Sequence, residues 1–334
     1  MFNRAGSPDN TMKYRKLGRT GFDVSEIAHG LWGMSGWSGS EDQQSLEAMQ
    51  LAVNFGVNFF DTAWAYGDGK SDALLGKIMG RNKNKRLYAA SKIPPMNLKW
   101  PASPTDKYSD VFPAKHVFEY AEKIRTKLGV DSIDLLQFHV WEDIWTGEPE
   151  FRETVEKLKS DGLIKFFGLS LNRWQPENGI KAIRTGLVDA VQVIYNIFDQ
   201  APEDKLFPVC RELNIGVIAR VPLDEGSLGG KMKADTKFPE NDWRAKYFGP
   251  ENLAATLPRV EKLKELVPPG MTLPEMALRF ILSNPDVSTT IVGMRKPDHV
   301  RNNIATSDAG ALPADLLSAL KSHRWDREPT RWSD

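Results

Sequence analysis

Cysteine is almost absent from this sequence, because its 334 residues include only Cys210. One thiol cannot form an internal disulfide, so a small secreted fold held together by disulfides is excluded. The first ten residues, MFNRAGSPDN, also lack the apolar segment of a secretory signal. We therefore expect the protein to be cytoplasmic.

The sequence also lacks long apolar runs and an excess of either charge. No stretch reaches the ~20 apolar residues that span a bilayer. The 44 Lys and Arg residues balance 44 Asp and Glu residues, so no overall field attracts polyanions, and we expect neither a nucleic-acid nor a membrane partner. No His-Glu-x-x-His or Cys-x-x-Cys spacing occurs, so no metal site is predicted. What the chain does contain, 41% hydrophobic residues, is enough for a large buried core.

Eight short apolar runs alternate with longer segments of helical period, which is the pattern of βα units. Most of the runs are continuously apolar, as in parallel strands covered on both faces. No linker divides the chain, so we predict a single α/β domain over residues 1–334, a (β/α)8 TIM barrel. A doubly wound sheet is the alternative. The strands are predicted at residues 27–32, 57–63, 86–92, 133–139, 164–170, 190–196, 216–222 and 289–294.

The remaining segments complete this prediction. Residues 13–25 are expected to form an N-terminal β-hairpin, residues 1–11 to be flexible, and residues 310–334 to form a tail near the barrel mouth. Glycine enters a left-handed helix cap without strain, so Gly56, Gly129 and Gly162 are expected to end three of the helices. Helices are predicted at residues 41–55, 70–79, 114–128, 149–161, 175–185, 203–213, 257–266 and 273–283.

Polar residues stand at the ends of three predicted strands. Asp61 ends the run NFFD, Lys92 ends YAASK and His139 ends LLQFH, while Tyr66 follows Asp61 by five residues. A barrel brings the carboxyl ends of its strands to one rim, where such enzymes carry their sites. A buried charge is costly unless it is paired, so Asp61 and Lys92 are expected to form an ion pair.

This set of residues favours proton transfer to a carbonyl group. An adjacent ammonium is expected to lower the pKa of Tyr66 toward neutrality, which would make its phenol a general acid. Lys92 would be held by Asp61, and His139 would donate a hydrogen bond to the oxygen that becomes an alkoxide. No protein side chain supplies hydride, so a nicotinamide cofactor is implied.

The runs KYRKLGRTGFDVSEIAHGLW, VNFFDTAWAYG, AASK, DLLQFH and GVIARVPLDEGSLGGK resemble the aldo-keto reductases. The resemblance extends from about Met12 to about Ser322, and its branch looks like the bacterial reductases and potassium-channel β subunits. It implies that the family's catalytic tetrad is present as Asp61, Tyr66, Lys92 and His139.

The resemblance further implies NADPH bound along the barrel mouth without a Rossmann glycine fingerprint, and this chain has no G-x-G-x-x-G after a strand. Three features depart from the family: Arg220 stands where many members have an aromatic residue, the usual adjacent Ser-Asn pair is split as Ser170-Leu171-Asn172, and Asn302 stands where a glutamate is common. Arg295, at the predicted opening of a helix, offers a guanidinium fork to the 2′-phosphate of NADPH. The implied cofactor residues are Leu31, Trp32, Asp61, Ser170, Asn172, Gln192, Arg220, Pro222, Leu223, Gly226, Lys231, Gly293, Arg295, His299, Asn302 and Asn303.

Four tryptophans near predicted strand ends, Trp32, Trp64, Trp100 and Trp141, are expected to form an apolar substrate mouth. We accordingly expect an NADPH-dependent oxidoreductase that reduces an aldehyde or ketone, or that oxidises a sugar or polyol alcohol. A nucleotide-sensing regulatory or scaffold subunit, like the channel β subunits, is the alternative.

Overall fold

The computed structural model describes residues 12–36, 39–240 and 242–328. Its eight parallel strands close into a barrel in which each strand pairs with the next one in sequence and the last pairs with the first, so the TIM-barrel prediction is confirmed and the doubly wound alternative is wrong. The predicted flexible segment 1–11 lies outside the described residues. The barrel strands are β3 Ile27–Gly30, β4 Phe59–Asp61, β5 Tyr88–Ile93, β6 Ile133–Phe138, β7 Ile164–Ser170, β8 Ala190–Ile194, β9 Gly216–Arg220 and β10 Thr289–Gly293.

The predicted hairpin precedes the barrel and closes its amino-terminal end. Strand β1 (Tyr14–Lys16) pairs antiparallel with β2 (Asp23–Ser25). Leu17, between them, is fully buried against the side chains that fill the lumen, such as Phe59, Leu135 and Ile218. Gly216 leaves it room, because a Cβ at that position would lie 2.6 Å from Leu17 Cδ1. The apolar lumen is thereby closed at one end, and polar residues collect at the other.

Twelve helices are assigned in the described part of the chain, and most of the predicted helices match. Two of the eight predicted helices differ: α6 occupies only the later part of the predicted segment 175–185, since Pro176 disfavours helix for the residue before it, and α9 begins seven residues earlier than expected. Four further helices, α3, α8, α11 and α12, lie outside the eight predicted ranges. The assigned helices are α1 Asp42–Asn54, α2 Lys70–Arg81, α3 Tyr108–Val111, α4 Ala114–Leu128, α5 Pro149–Ser160, α6 Ile180–Arg184, α7 Leu206–Glu212, α8 Arg244–Tyr247, α9 Pro250–Lys264, α10 Leu273–Leu282, α11 Pro297–Ala309 and α12 Ala314–Lys321.

The outer core lies between the strands and the helices, where one large cluster of buried apolar side chains surrounds the barrel. Gly56, Gly129 and Gly162 have positive φ angles of 89°, 68° and 73° directly after helical segments, as predicted. Among the described residues, no helix combines the length and the apolar character that a membrane span requires. The two longest connections, after β5 and β9, lie at the carboxyl ends of the strands.

Candidate active site

The centre of the site is a buried ion pair between two neighbouring strands. Lys92 Nζ donates to Asp61 Oδ1 and Oδ2 at 2.8 and 2.7 Å, and to the Thr62 carbonyl at 2.8 Å. Burial alone would lower the pKa of Lys92, but the Asp61 carboxylate and then Tyr66 together outweigh it and raise that pKa. Lys92 is therefore an ammonium, as the cost of an unpaired buried charge predicts.

Two rings complete the group at the carboxyl end of the barrel. Lys92 Nζ lies 5.1 Å from the centre of the Tyr66 ring, which belongs to the turn between β4 and α2. The Tyr66 and His139 rings meet edge to face with their centres 5.8 Å apart. The structure thus brings together all four side chains of the predicted tetrad, although they come from separate segments of the chain.

The protonation states of the two rings follow from burial. Burial raises the pKa of Tyr66, and the opposing effect of Lys92 does not overcome it. The expectation that Lys92 lowers this pKa toward neutrality is therefore wrong, because it left desolvation out. Burial, with Lys92 and Arg220, lowers the pKa of His139 well below its usual value. At neutral pH the phenol keeps its proton, and the imidazole is neutral.

A cavity of about 2630 Å³ extends from Tyr66 to helix α11. Leu31 is outside it, being fully buried with its backbone N–H donating to the Asp61 carbonyl. The remaining residues that the resemblance assigned to the cofactor all line this cavity: Trp32, Asp61, Ser170, Asn172, Gln192, Arg220, Pro222, Leu223, Gly226, Lys231, Gly293, Arg295, His299, Asn302 and Asn303.

The far end of the cavity, at the amino terminus of α11, is electropositive. Partial burial lowers the pKa of His299, and Lys296, Lys231 and Arg295 lower it further. The first backbone N–H groups of a helix also favour an anion. This end of the cavity therefore suits a phosphate group, while Gly293 presents no side chain to a ligand that runs past it.

Two amides assigned to the cofactor make hydrogen bonds within the protein. Gln192 Nε2 donates to Asp61 Oδ1 at 2.7 Å. Asn172 Nδ2 donates to the Trp141 carbonyl and to Glu142 Oε1, both at 3.0 Å. Asn172 Oδ1 is buried and has no partner among the described residues, so its acceptor capacity remains for a ligand.

Only two of the four predicted tryptophans line the cavity. Trp32 and Trp100 do so and are 37% and 40% exposed. Trp141 is fully buried against Trp145, and Trp64 packs edge to face on Tyr120 of α4. The predicted substrate role is therefore wrong for Trp64 and Trp141, because nearness to a strand end does not say which way a side chain points.

Sequence reasoning missed a second group at the mouth. The Trp243 ring lies 6.0 Å from that of Trp32, and Arg173 Cζ lies 5.2 Å from the Trp243 ring. Arg173 Nη2 in turn donates to Glu225 Oε1 at 2.7 Å. Glu225 and Trp243 lie in the connection after β9, whose unusual length was the one available signal. Arg173 lies in the shorter connection after β7, which gave no signal. In the described ranges, no three His, Cys, Asp or Glu side chains converge as a metal site.

Comparisons with known proteins agree with this geometry. The chain is 30% identical over 319 residues to an uncharacterized oxidoreductase, YqkF, of Bacillus subtilis, with 93% of this chain and 96% of that protein covered. It is 28% identical over 334 residues to the NADH-specific methylglyoxal reductase of Escherichia coli, with 93% and 100% covered.

Two solved structures share the fold. The glycerol dehydrogenase AKR11B4 of Gluconobacter oxydans superposes with a TM-score of 0.75 at 26% identity, with 94% of each chain covered. The holo form of the aldo-keto reductase AKR11C1 of Bacillus halodurans gives a TM-score of 0.75 at 22% identity, with 97% of this chain and 100% of that chain covered. Because the model of the Aldo/keto reductase family matches residues 26–324, the chain belongs to this family of oxidoreductases.

Proposed function

We propose that the protein is an NADPH-dependent oxidoreductase that reduces an aldehyde or ketone, or oxidises a sugar or polyol alcohol, with Tyr66 as general acid and base. The observation that carries this proposal is the arrangement of the protonated Tyr66 phenol beside the Lys92 ammonium at the inner end of the cavity. Reduction of a carbonyl group requires a proton donor, and a fixed cation beside that donor stabilises the anion that it leaves behind.

Each residue of the tetrad has one task in this reaction. Tyr66 donates its proton to the carbonyl oxygen, and Lys92 stabilises the phenolate that results. Asp61 holds Lys92 in place, and neutral His139 donates a hydrogen bond to the same oxygen. A bound nicotinamide supplies hydride in the reductive direction and accepts it in the oxidative one.

The residues present fit nicotinamide adenine dinucleotide phosphate. Such a ligand is long, carries a reactive ring at one end and bears phosphates toward the other. The cavity has this polarity, since Tyr66 and His139 line one end and Lys231, Arg295 and His299 line the other. One relative is named as NADH-specific, so we base our preference for NADPH on the cations of this chain.

The test is turnover of NADPH with a panel of aldehydes and ketones, and of NADP⁺ with polyols and sugars. We expect Tyr66→Phe to lower kcat by ~10²-fold or more, because the transition state loses its proton donor. NADPH affinity, measured by quenching of protein fluorescence, should change little.

Tyr14→Phe provides a matched control, since this substitution also removes a tyrosine hydroxyl. The Tyr14 hydroxyl lies at the opposite end of the barrel, where it donates to the Gly56 carbonyl. Near wild-type turnover by Tyr66→Phe would disprove the assignment of the proton donor. Tight NADPH binding by a wild-type protein that turns over none of these substrates would favour the nucleotide-sensing alternative.

A further inference from the structure

Asp72 is a buried carboxylate that the reaction described above does not use. It is the third residue of α2 and is fully buried. Its Oδ1 accepts a hydrogen bond of 2.7 Å from Ser91 Oγ, and Ser91 directly precedes Lys92 on β5. Because successive strand residues face opposite sides, Lys92 points to the Asp61 side of the strand while Ser91 points to the helix. Asp72 thus contacts the tetrad strand from behind.

A second link joins the strand that Asp72 contacts to the end of β4. The backbone of Thr62 is part of the site: its carbonyl accepts from Lys92 Nζ at 2.8 Å, and its N–H donates to the Ala90 carbonyl at 2.8 Å. The segment of β5 that Asp72 contacts is therefore hydrogen-bonded to the end of β4, and both segments hold Lys92 in place.

The third link runs through the first turn of α2 to Tyr66. The Ser71 N–H donates to the Tyr66 carbonyl at 3.2 Å, and Ser71 Oγ donates to the Leu31 carbonyl at 3.1 Å. The turn that carries Tyr66 is therefore attached to the helix that Asp72 anchors. A shift of α2 relative to β5 would change the separation between the phenol and the ammonium.

We propose that Asp72 is a positioning residue of the active site, which fixes Tyr66 relative to Lys92 by joining the first turn of α2 to the end of β5. This inference rests on the proposed function. It adds a fifth side chain to the machinery, one that acts through Ser91 and does not touch the substrate.

The charge of Asp72 supports a role beyond packing. Burial raises its pKa to about 6, against the opposing effects of the Ser91 hydroxyl and then of Lys92. Lys92 is the charged group that acts on Asp72, while the Ser91 hydroxyl and the Asp72 backbone N–H are neutral donors. An ionised buried carboxylate costs stability that a neutral amide avoids, so a purely structural link would be better made by asparagine.

The test compares Asp72→Asn with the wild-type protein and with Asp72→Glu. We expect Asp72→Asn to lower kcat about 10-fold with NADPH affinity changed less than twofold, since Asp72 has no contact with the phosphate end of the cavity. Its Tm at pH 7.5 should be equal to or above that of the wild type. The fall in wild-type kcat below about pH 6, where Asp72 takes up a proton, should be absent from the variant. Asp72→Glu, which keeps the carboxylate, should recover part of the lost kcat.

Asp134→Asn is the matched control. Asp134 is a buried carboxylate near the amino end of β6, where it pairs with Arg86 and Lys165. Its substitution should lower Tm and leave kcat unchanged.

The outcomes distinguish a failure of the positioning role of Asp72 from a failure of the proposed function. If the wild-type protein turns over substrate and Asp72→Asn has the same kcat and the same pH profile, the positioning role is overturned and the proposed function stands. A parallel loss of Tm, NADPH affinity and kcat would assign Asp72 to the fold and also overturn it. A wild-type protein without turnover on any carbonyl or alcohol would overturn the proposed function and, with it, this role.

Discussion

The protonation states of Lys92, Tyr66 and His139 follow from the balance between burial and the charges beside each side chain. Lys92 stays charged because Asp61 compensates the loss of water, whereas Tyr66 and His139 stay neutral because nothing compensates it fully. Sequence spacing predicted which residues meet, since strand ends share a rim. It could not predict their ionisation, because desolvation depends on the depth of a cavity that only the folded chain defines.

Arg295 is the residue that we expect to distinguish the two nicotinamide nucleotides. It lies at the electropositive end of the cavity, beside the first turn of α11. We expect Arg295→Ala to weaken NADPH binding by ~1.5–3 kcal/mol, the range of a hydrogen bond to a charged group, and to leave NADH binding nearly unchanged. Titration of both nucleotides by fluorescence quenching measures the difference.

Lys296→Ala is the control for this prediction, because Lys296 carries the same charge on the same turn but is exposed and does not line the cavity. Its effect should be small and similar for both nucleotides. Equal losses of NADPH and NADH affinity in Arg295→Ala, or a wild-type preference for NADH, would contradict the assignment of Arg295 to the 2′-phosphate.

At the level of elements, the chain end is joined to two loops of the barrel mouth. Arg327 is buried and forms ion pairs with Asp199, after β8, and with Asp224, after β9. Burial alone would lower the pKa of Arg327, but Asp224 and Asp199 raise it. Arg327 Nη1 also donates to the Tyr247 hydroxyl of α8 at 3.1 Å. One cation thus connects three segments, two of which adjoin the cavity.

We expect Arg327→Ala to lower the free energy of unfolding by ~3–5 kcal/mol, since it leaves two buried carboxylates without a counter-charge. NADPH affinity should fall as well, because the segment after Asp224 forms part of the cavity wall. Denaturant unfolding and nucleotide titration measure the two effects.

Arg324→Ala is the comparison on the same tail. Arg324 pairs with Asp204 and Asp326 on the surface, so its loss should cost less than ~1 kcal/mol. Similar costs for the two arginines would show that the Arg327 pairs are no stronger than surface ones.

The elements also show where sequence reasoning succeeds. Continuous apolar runs located all eight barrel strands, because parallel strands buried on both faces leave a signal that does not depend on distant contacts. The tail contacts of Arg327 left no such signal, since its partners lie 103 and 128 residues away in sequence. The prediction that Trp141 lines the substrate mouth failed for a related reason. Side chains at a strand end point to both faces, and the sequence does not say which face a given residue takes.

At the level of the whole molecule, buried histidines make stability depend on pH. Burial lowers the pKa of His29 to about 3, whereas an unfolded chain titrates near ~6.5. Between these values the unfolded chain binds a proton that the folded chain does not, so stability is fully present above ~6.5 and is lost as the pH falls.

We expect His29→Phe to reduce this loss, since a phenyl ring can occupy the space beside Phe60 without titrating. Between pH 7.5 and pH 5, the wild-type protein should lose about 2 kcal/mol more stability than the variant. Urea unfolding at the two pH values provides the measurement. The same loss in both proteins would mean that His29 is protonated in the folded state or already neutral in the unfolded one.

The hairpin that closes the amino end of the lumen leaves one route to Tyr66 in the described structure. A molecule reaches the phenol from the carboxyl rim, past Trp32 and Trp100, and leaves the same way. Two reactants that share one entrance cannot exchange independently when one lies deeper than the other. If the proposed nucleotide lies along the cavity beneath the carbonyl compound, we therefore expect ordered kinetics, in which the nucleotide binds first and leaves last.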